Sequence, residues 1–180
     1  MKVKSAETIY WALLSHGHWT CYIGASEKGL CYVGSGNGSF DEMEAWAVKR
    51  FPGSMLTEDQ NGLAPFADEI KQYLAGKRTY FTLPVDLRGT AFQHAVWKAL
   101  CGIPYGEKRT YSDIAEEILR PNAVRAVGMA IGANPLLMIV PCHRVIGKKG
   151  ALTGYRGGLE MKTQLLELEQ QCIEGKRVYL

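Results

Sequence analysis

The chain has 180 residues, 47% apolar and 22% charged, with a formal net charge of +3. This balance describes one or two small globular domains and excludes collagen-like repeats and long disordered stretches. No run approaches the roughly 18 apolar residues that span a bilayer, and Met1 to Glu7 lacks the apolar core of about 7–15 residues of an export signal, so a cytoplasmic protein without membrane contact is expected.

The elements follow in chain order. Thr8–Leu13, Trp19–Gly24 and Gly29–Val33 are strand-like and separated by turn formers, which predicts an antiparallel meander. The glycine-rich Gly34–Ser39 lacks the lysine and the βαβ context of a phosphate cradle and reads as a flexible loop. A helical period covers Phe40–Phe51 and stops at Pro52-Gly53. A second helix is expected over Pro65–Ala75 with Gly76 as its stop, and Arg78–Val85 returns to strand. Beyond Leu87 the pattern is helical. Thr90 and Gln93 have capping-box spacing ahead of an amphipathic run with Phe92, Val96, Trp97 and Leu100 on one face, and His94 there is a surface or packed side chain. Short helices fit Ser112–Leu119 and Ala123–Ala133, the second with Asn122 as N-cap; together they form a helix-turn-helix candidate. Leu159–Gln170 closes the fold as an amphipathic helix. The expected domains are 1–86, 87–171 and a tail at 172–180.

Charge separates the halves. Residues 1–86 hold 8 bases and 10 acids, whereas 87–180 hold 13 bases and 8 acids. From Arg120 to Leu159 there are Arg120, Arg125, Arg144, Lys148, Lys149 and Arg156 and no Asp or Glu, which fits a surface that meets phosphates and equally fits a solvated basic face.

Five cysteines (Cys21, Cys31, Cys101, Cys142, Cys172) form an odd set with no Cys-x-x-Cys pair, the pattern of free thiols. Four read as packing or incidental thiols. Cys142 differs, because an apolar run and a proline precede it while His143 and Arg144 follow, supplying a base and a cation that would lower its pKa. His16, His18 and Cys21 cluster by spacing only and read as a polar turn, so no metal and no cofactor is expected.

The motifs Ile103-Pro104-Tyr105-Gly106-Glu107, Arg125-Ala126-Val127-Gly128-Met129-Ala130, Ala133-Asn134-Pro135, Pro141-Cys142-His143-Arg144-Val145 and Gly154-Tyr155-Arg156-Gly157-Gly158-Leu159 occur in the order found in the O6-alkylguanine-DNA alkyltransferases, which the stretch Ile103–Glu169 resembles. The resemblance implies an α/β N-terminal domain, ribonuclease H-like with a small antiparallel sheet and helices, and a mostly α C-terminal winged helix-turn-helix domain. It also implies a monomeric repair protein that moves an alkyl group from O6-alkylguanine, and from O4-alkylthymine, in double-stranded DNA onto its own cysteine, once per molecule.

It further implies that Cys142 is the acceptor, that His143 deprotonates it through a water, and that Glu169 holds the tautomer of His143. Tyr111 would donate to the departing base, and Asn134 would brace the turn before the cysteine. Arg125 would fill the gap left by the extruded nucleotide, with Ala126 and Ala130 allowing close approach and Arg144 also near DNA. Val145, Tyr155, Arg156, Lys162 and Ile131 would belong to the substrate pocket, the carbonyls of Cys142 and Val145 accepting from the guanine amino group. Arg156 departs from members with serine at that position. Two other classes stand beside this one: a DNA-binding module that senses alkylation without accepting the group, and a cysteine hydrolase, which would need an oxyanion hole.

Overall fold

A computed structural model describes residues 7–177. Strands β1 (Thr8–His16), β2 (Trp19–Ser26) and β3 (Gly29–Val33) pair antiparallel as the turn spacing predicts. A fourth strand, β4 (Met55–Glu58), lies outside the sequence expectation and runs parallel to β1, so the sheet is mixed, in the order β3-β2-β1-β4. Its sequence carries no apolar alternation because it is a mostly exposed edge strand, held by the backbone of β1.

Helix α1 (Phe40–Arg50) starts at Ser39, whose hydroxyl accepts from the Glu42 amide, and gives the glycine-rich loop its endpoint. Helix α2 (Ala64–Leu74) buries Ala67, Ile70, Tyr73 and Leu74, and Gly76 follows with φ +71°. The expected strand at 78–85 does not form. Thr82 gives its amide to the Glu69 carboxylate, Pro84 has no amide to give, and a single bridge joins Val85 to Leu30.

In the second half, α3 (Ala91–Cys101) opens with both bonds of the expected capping box. Helices α4 (Tyr111–Glu117) and α5 (Val124–Gly132) pack on it and on each other, and the Trp97 indole donates to the Ala130 carbonyl at 2.9 Å. Asn122 does not cap α5. Pro121–Ala123 forms a 3₁₀ turn that leads straight into the helix, leaving Ala123 at the cap position with no side-chain bond. Two short strands, β5 (Arg109–Thr110) and β6 (Val145–Ile146), pair in parallel and bring the start of α4 to the chain just past Cys142. Helix α6 (Leu159–Arg177) runs past the expected end at Gln170, so residues 172–177 of the expected tail are helical; residues 178–180 and 1–6 lie outside the described range. Among the described residues no helix is long and apolar enough to cross a membrane.

The halves meet on one continuous core that includes Ile23, Leu30 and Val33 from the sheet, Tyr73 from α2, Trp97 from α3 and Leu136, Val140 and Leu165 from the second half. Beyond β3, the Val33 amide donates to the Pro135 carbonyl at 2.9 Å, so the sheet edge continues onto the turn that leads to Cys142.

Candidate active site

Cys142 opens a 3₁₀ turn, Cys142–Arg144, and is 2% exposed. Its sulfur accepts a hydrogen bond from Asn134 Nδ2 at 3.0 Å; the same amide nitrogen donates to the Val140 carbonyl at 2.9 Å, and Oδ1 accepts from the Leu136 amide at 2.9 Å. One buried side chain therefore ties both ends of the 134–142 loop to the sulfur. Met138 within that loop is buried with φ 71°, a strained conformation for a side chain of its size. Burial pushes the thiol pKa up, against the smaller opposing effects of the Asn134 hydrogen bond and the Arg156 and Lys162 charges. The expected lowering by adjacent His143 and Arg144 is thus overturned: desolvation outweighs the nearby cations, and Arg144 spends its charge elsewhere.

His143 is fully buried, and burial lowers its pKa despite Glu169, so it rests neutral. Nε2 lies 2.8 Å from Glu169 Oε1, an acceptor-only atom when ionised, so Nε2 carries the proton and Nδ1 keeps its lone pair. Among the described residues Nδ1 has no hydrogen-bond partner. Glu169, on α6, collects donors: Tyr73 Oη at 2.6 Å and Arg144 Nη2 at 2.8 Å on Oε1, Arg144 Nε at 3.0 Å and the Gly106 amide at 2.9 Å on Oε2. Although desolvation opposes ionisation, the hydrogen bonds from His143 and Arg144 bring its pKa down to about 2. Gly106 sits at φ +78°, a backbone conformation that favours glycine, and a Cβ there would press on the end of the Ile173 side chain.

Tyr155 has a buried hydroxyl without a partner among the described residues, and burial, followed by the nearby Cys142 sulfur, raises its pKa well above ordinary. Lys162 is buried and donates from Nζ to the carbonyls of Val145 and Thr153. Tyr111, the first residue of α4, donates to the Thr153 carbonyl at 3.2 Å. A larger cavity of about 520 Å³ lies among Phe81, Cys101, Tyr105 and Pro141 but is not lined by Cys142.

This assembly joins a thiol, a neutral imidazole with one free lone pair and an ionised carboxylate that orients it, beside a helix pair with an exposed arginine. The ribonuclease-like domain of 6-O-methylguanine DNA methyltransferase matches residues 9–87, and the DNA binding domain matches residues 91–171. The chain belongs to the 6-O-methylguanine DNA methyltransferase family. It is 62% identical over 165 residues to the inducible methylated-DNA–protein-cysteine methyltransferase of Bacillus subtilis, covering 92% of each chain. It is 54% identical over 114 residues to the methylated-DNA–protein-cysteine methyltransferase of Mycobacterium tuberculosis, 63% of this chain and 69% of that one. Among solved structures, that of Mycobacterium tuberculosis OGT in complex with DNA matches with a TM-score of 0.78 and 39% identity, covering 91% of this chain and 94% of that one.

Within this family member, Cys142, His143, Glu169 and Asn134 come together as the sequence expects, with Tyr155 and Lys162 near the sulfur and Tyr111 across from Thr153. Arg125 and Ala126 are exposed on α5. Three positions differ from expectation. Arg144 is 7% exposed, with its guanidinium on Glu169 and, through Nη1, on the Ile103 carbonyl, so it braces the carboxylate and has no free charge for a phosphate. Ala130 is buried against Trp97 of α3, whereas Ala126 is exposed and Met129 is 74% exposed. Arg156 turns from the sulfur to the seam between the halves, bonding the carbonyls of Asn134 and Val33 and the Glu42 carboxylate. Ile131 is on the buried core face of α5, and the Val145 carbonyl already accepts from Lys162.

Sequence reasoning missed Tyr73 and the Gly106 amide as Glu169 donors. The one available signal was a tyrosine in the apolar stripe of α2, where a buried hydroxyl needs a partner.

Proposed function

We propose that this protein repairs alkylated DNA by transferring the alkyl group of O6-alkylguanine, and of O4-alkylthymine, irreversibly to Cys142, once per molecule. The observation that carries this reading is the buried Cys142 sulfur set beside a neutral His143 whose Nδ1 lone pair is free and whose Nε2 proton is committed to Glu169. The sulfur forms a bond to the methyl carbon as the carbon–oxygen bond breaks and its electron pair stays on guanine. His143 takes the thiol proton through a bridging water, and Tyr111 donates to the departing base, so that in sum the thiol proton ends on guanine. Burial keeps the resting thiol neutral, and the proton leaves only when an electrophile is in place.

A buried sulfur cannot reach a base inside a duplex, so the nucleotide must rotate out, at an unstacking cost of roughly a few kcal/mol. Arg125 on exposed α5 would fill the gap, and Arg120, Lys148 and Lys149, all exposed, would meet phosphates and make binding weaken with salt. We assign residues 1–86 to a scaffold that shapes the site, 87–171 to the DNA-binding and acceptor domain, and the molecule to the cytoplasm as a monomer acting without a cofactor. The donors gathered on Glu169 and the exposed Arg125 of α5 favour it over a cysteine hydrolase.

The deciding experiment is intact-protein mass after incubation with a duplex carrying O6-methylguanine. One added methyl, mapped to Cys142 and missing from Cys142→Ala, is the expected result. An unchanged mass with retained binding would make the protein a damage sensor.

A further inference from the structure

Helix α2 belongs to the N-terminal half, yet its Tyr73 side chain is fully buried at the base of the acceptor site. Its hydroxyl lies 2.6 Å from Glu169 Oε1 and 3.2 Å from His143 Nε2, while Nε2 lies 2.8 Å from the same Oε1. Three polar atoms from three separate elements thus close a triangle. The hydroxyl has one proton, and the carboxylate oxygen can only accept, so that proton goes to Oε1. The tyrosine oxygen then turns a lone pair toward Nε2. A bare Nε2 would face two acceptor atoms without a proton between them, whereas a protonated Nε2 satisfies both.

We propose that Tyr73 is a positioning residue for alkyl transfer, holding His143 in the tautomer that leaves Nδ1 free to act as base toward Cys142. This rests on the alkyl-transfer reading above and assigns the N-terminal half a direct part in it. Tyr73 also moderates the carboxylate: by sharing Oε1, it limits how strongly Glu169 can stabilise an imidazolium. The charged and titratable groups around His143 are Glu169 and Lys162 of α6, Arg144 and Cys142 of its own turn, and Tyr105 of the turn after α3, which faces Tyr73 edge-on with ring centroids 6.0 Å apart. Burial, followed by the Glu169 charge, raises the Tyr73 pKa well above ordinary, which keeps its proton in place throughout the reaction.

Removing the hydroxyl has a definite sign. Without it, Nε2 faces one acceptor instead of two, and the Nδ1–H form of the neutral imidazole becomes accessible. Tyr73→Phe keeps the ring packed on Phe81 and Tyr105 and loses only the hydrogen bond. The test is the rate of Cys142 methylation against pH for wild type and Tyr73→Phe, with thermal unfolding and DNA affinity as controls and a ¹⁵N titration of His143 beside them. Expected are an Nδ1–H tautomer populated by the neutral His143 of the variant and not of wild type, and a roughly 3–10-fold slower methylation that persists on the alkaline plateau, because the ratio of the two neutral tautomers does not change with pH. A superimposable profile, or a slower variant whose ¹⁵N shifts still show the wild-type Nε2–H tautomer, overturns the proposal. So does a wild-type ¹⁵N spectrum showing His143 protonated on Nδ1, whatever the variant does. If wild type takes up no methyl, the alkyl-transfer reading fails, while the His143 titration still tests the Tyr73 hydrogen bond.

Discussion

Cys142 has to become a nucleophile in a place that disfavours its anion. The strongest effect lowering its pKa is one neutral donor, the Asn134 amide at 3.0 Å, since the Arg156 and Lys162 charges contribute less. Asn134 also satisfies the Leu136 amide and the Val140 carbonyl, both buried. Asn134→Ala is therefore expected to act twice. The thiol pKa rises further and methyl transfer slows by about tenfold. The protein also loses roughly 1–3 kcal/mol of stability, because the buried Leu136 amide is left without a partner while the Val140 carbonyl keeps only the Cys142 amide. Thiol titration and chemical denaturation separate the two effects, and a variant of unchanged stability would show that the loop closes by other means.

At the scale of elements, helix starts and faces deliver the chemistry. Tyr111 is the first residue of α4, and its direction is set by a capping box in which Thr110 and Asp113 satisfy each other's amides. The β5–β6 pairing places Thr110 opposite Ile146, just past the acceptor turn. Thr110→Ala removes one half of that box, at a cost of about 1 kcal/mol. The Tyr111 ring loses its fixed entry angle and keeps only the bonds of its hydroxyl to the 153–154 carbonyls. Methyl transfer is expected to slow more than the stability loss alone would explain, while duplex affinity stays close to wild type; single-turnover kinetics and a binding isotherm check this. On α6, Lys162 and Glu169 are seven residues apart and so share a face two turns apart, one holding the wall of the pocket and the other the base.

For the whole molecule, the buried titratable groups confine stability from both sides of neutral pH. His143 has a pKa lowered by burial, so its contribution is complete above the ordinary value near 6.5 and is lost as pH falls through the folded value. Glu169, held at about 2 against 4.5 ordinarily, adds a contribution that is lost between those values on acidification. On the alkaline side, burial pushes Cys21 and Cys31 up to about 12 from 9.0 and also raises Cys142, so stability falls above pH 9 as unfolding releases their protons. Melting temperature against pH is expected to form a plateau between about 6.5 and 9, with Glu169→Gln flattening the steep part of the acid limb below 4.5. A melting temperature still rising through pH 10 would contradict this account.

The same scale shows what the sequence made legible. Alternation and turn residues announced β1–β3, and capping chemistry announced α3, because those signals are local. Strand β4 escaped because its order comes from β1 and not from its own side chains. Arg144 was misplaced because a cation's sequence position says nothing about a carboxylate 25 residues further on that neutralises it. Tyr73 was hidden for the same reason: its partners lie 70 and 96 residues away.

The seam between the halves has one more consequence. The Val33 amide holds the Pro135 carbonyl, and the Arg156 guanidinium holds Val33 and Asn134 together, so the acceptor turn is splinted to the sheet before any DNA arrives. A protein braced in this way cannot close around its target as a jaw would. On the base-extrusion reading it would work as an anvil: the nucleotide would travel to a sulfur already set in place, and the work of bringing it there would fall on the contacts made with the duplex.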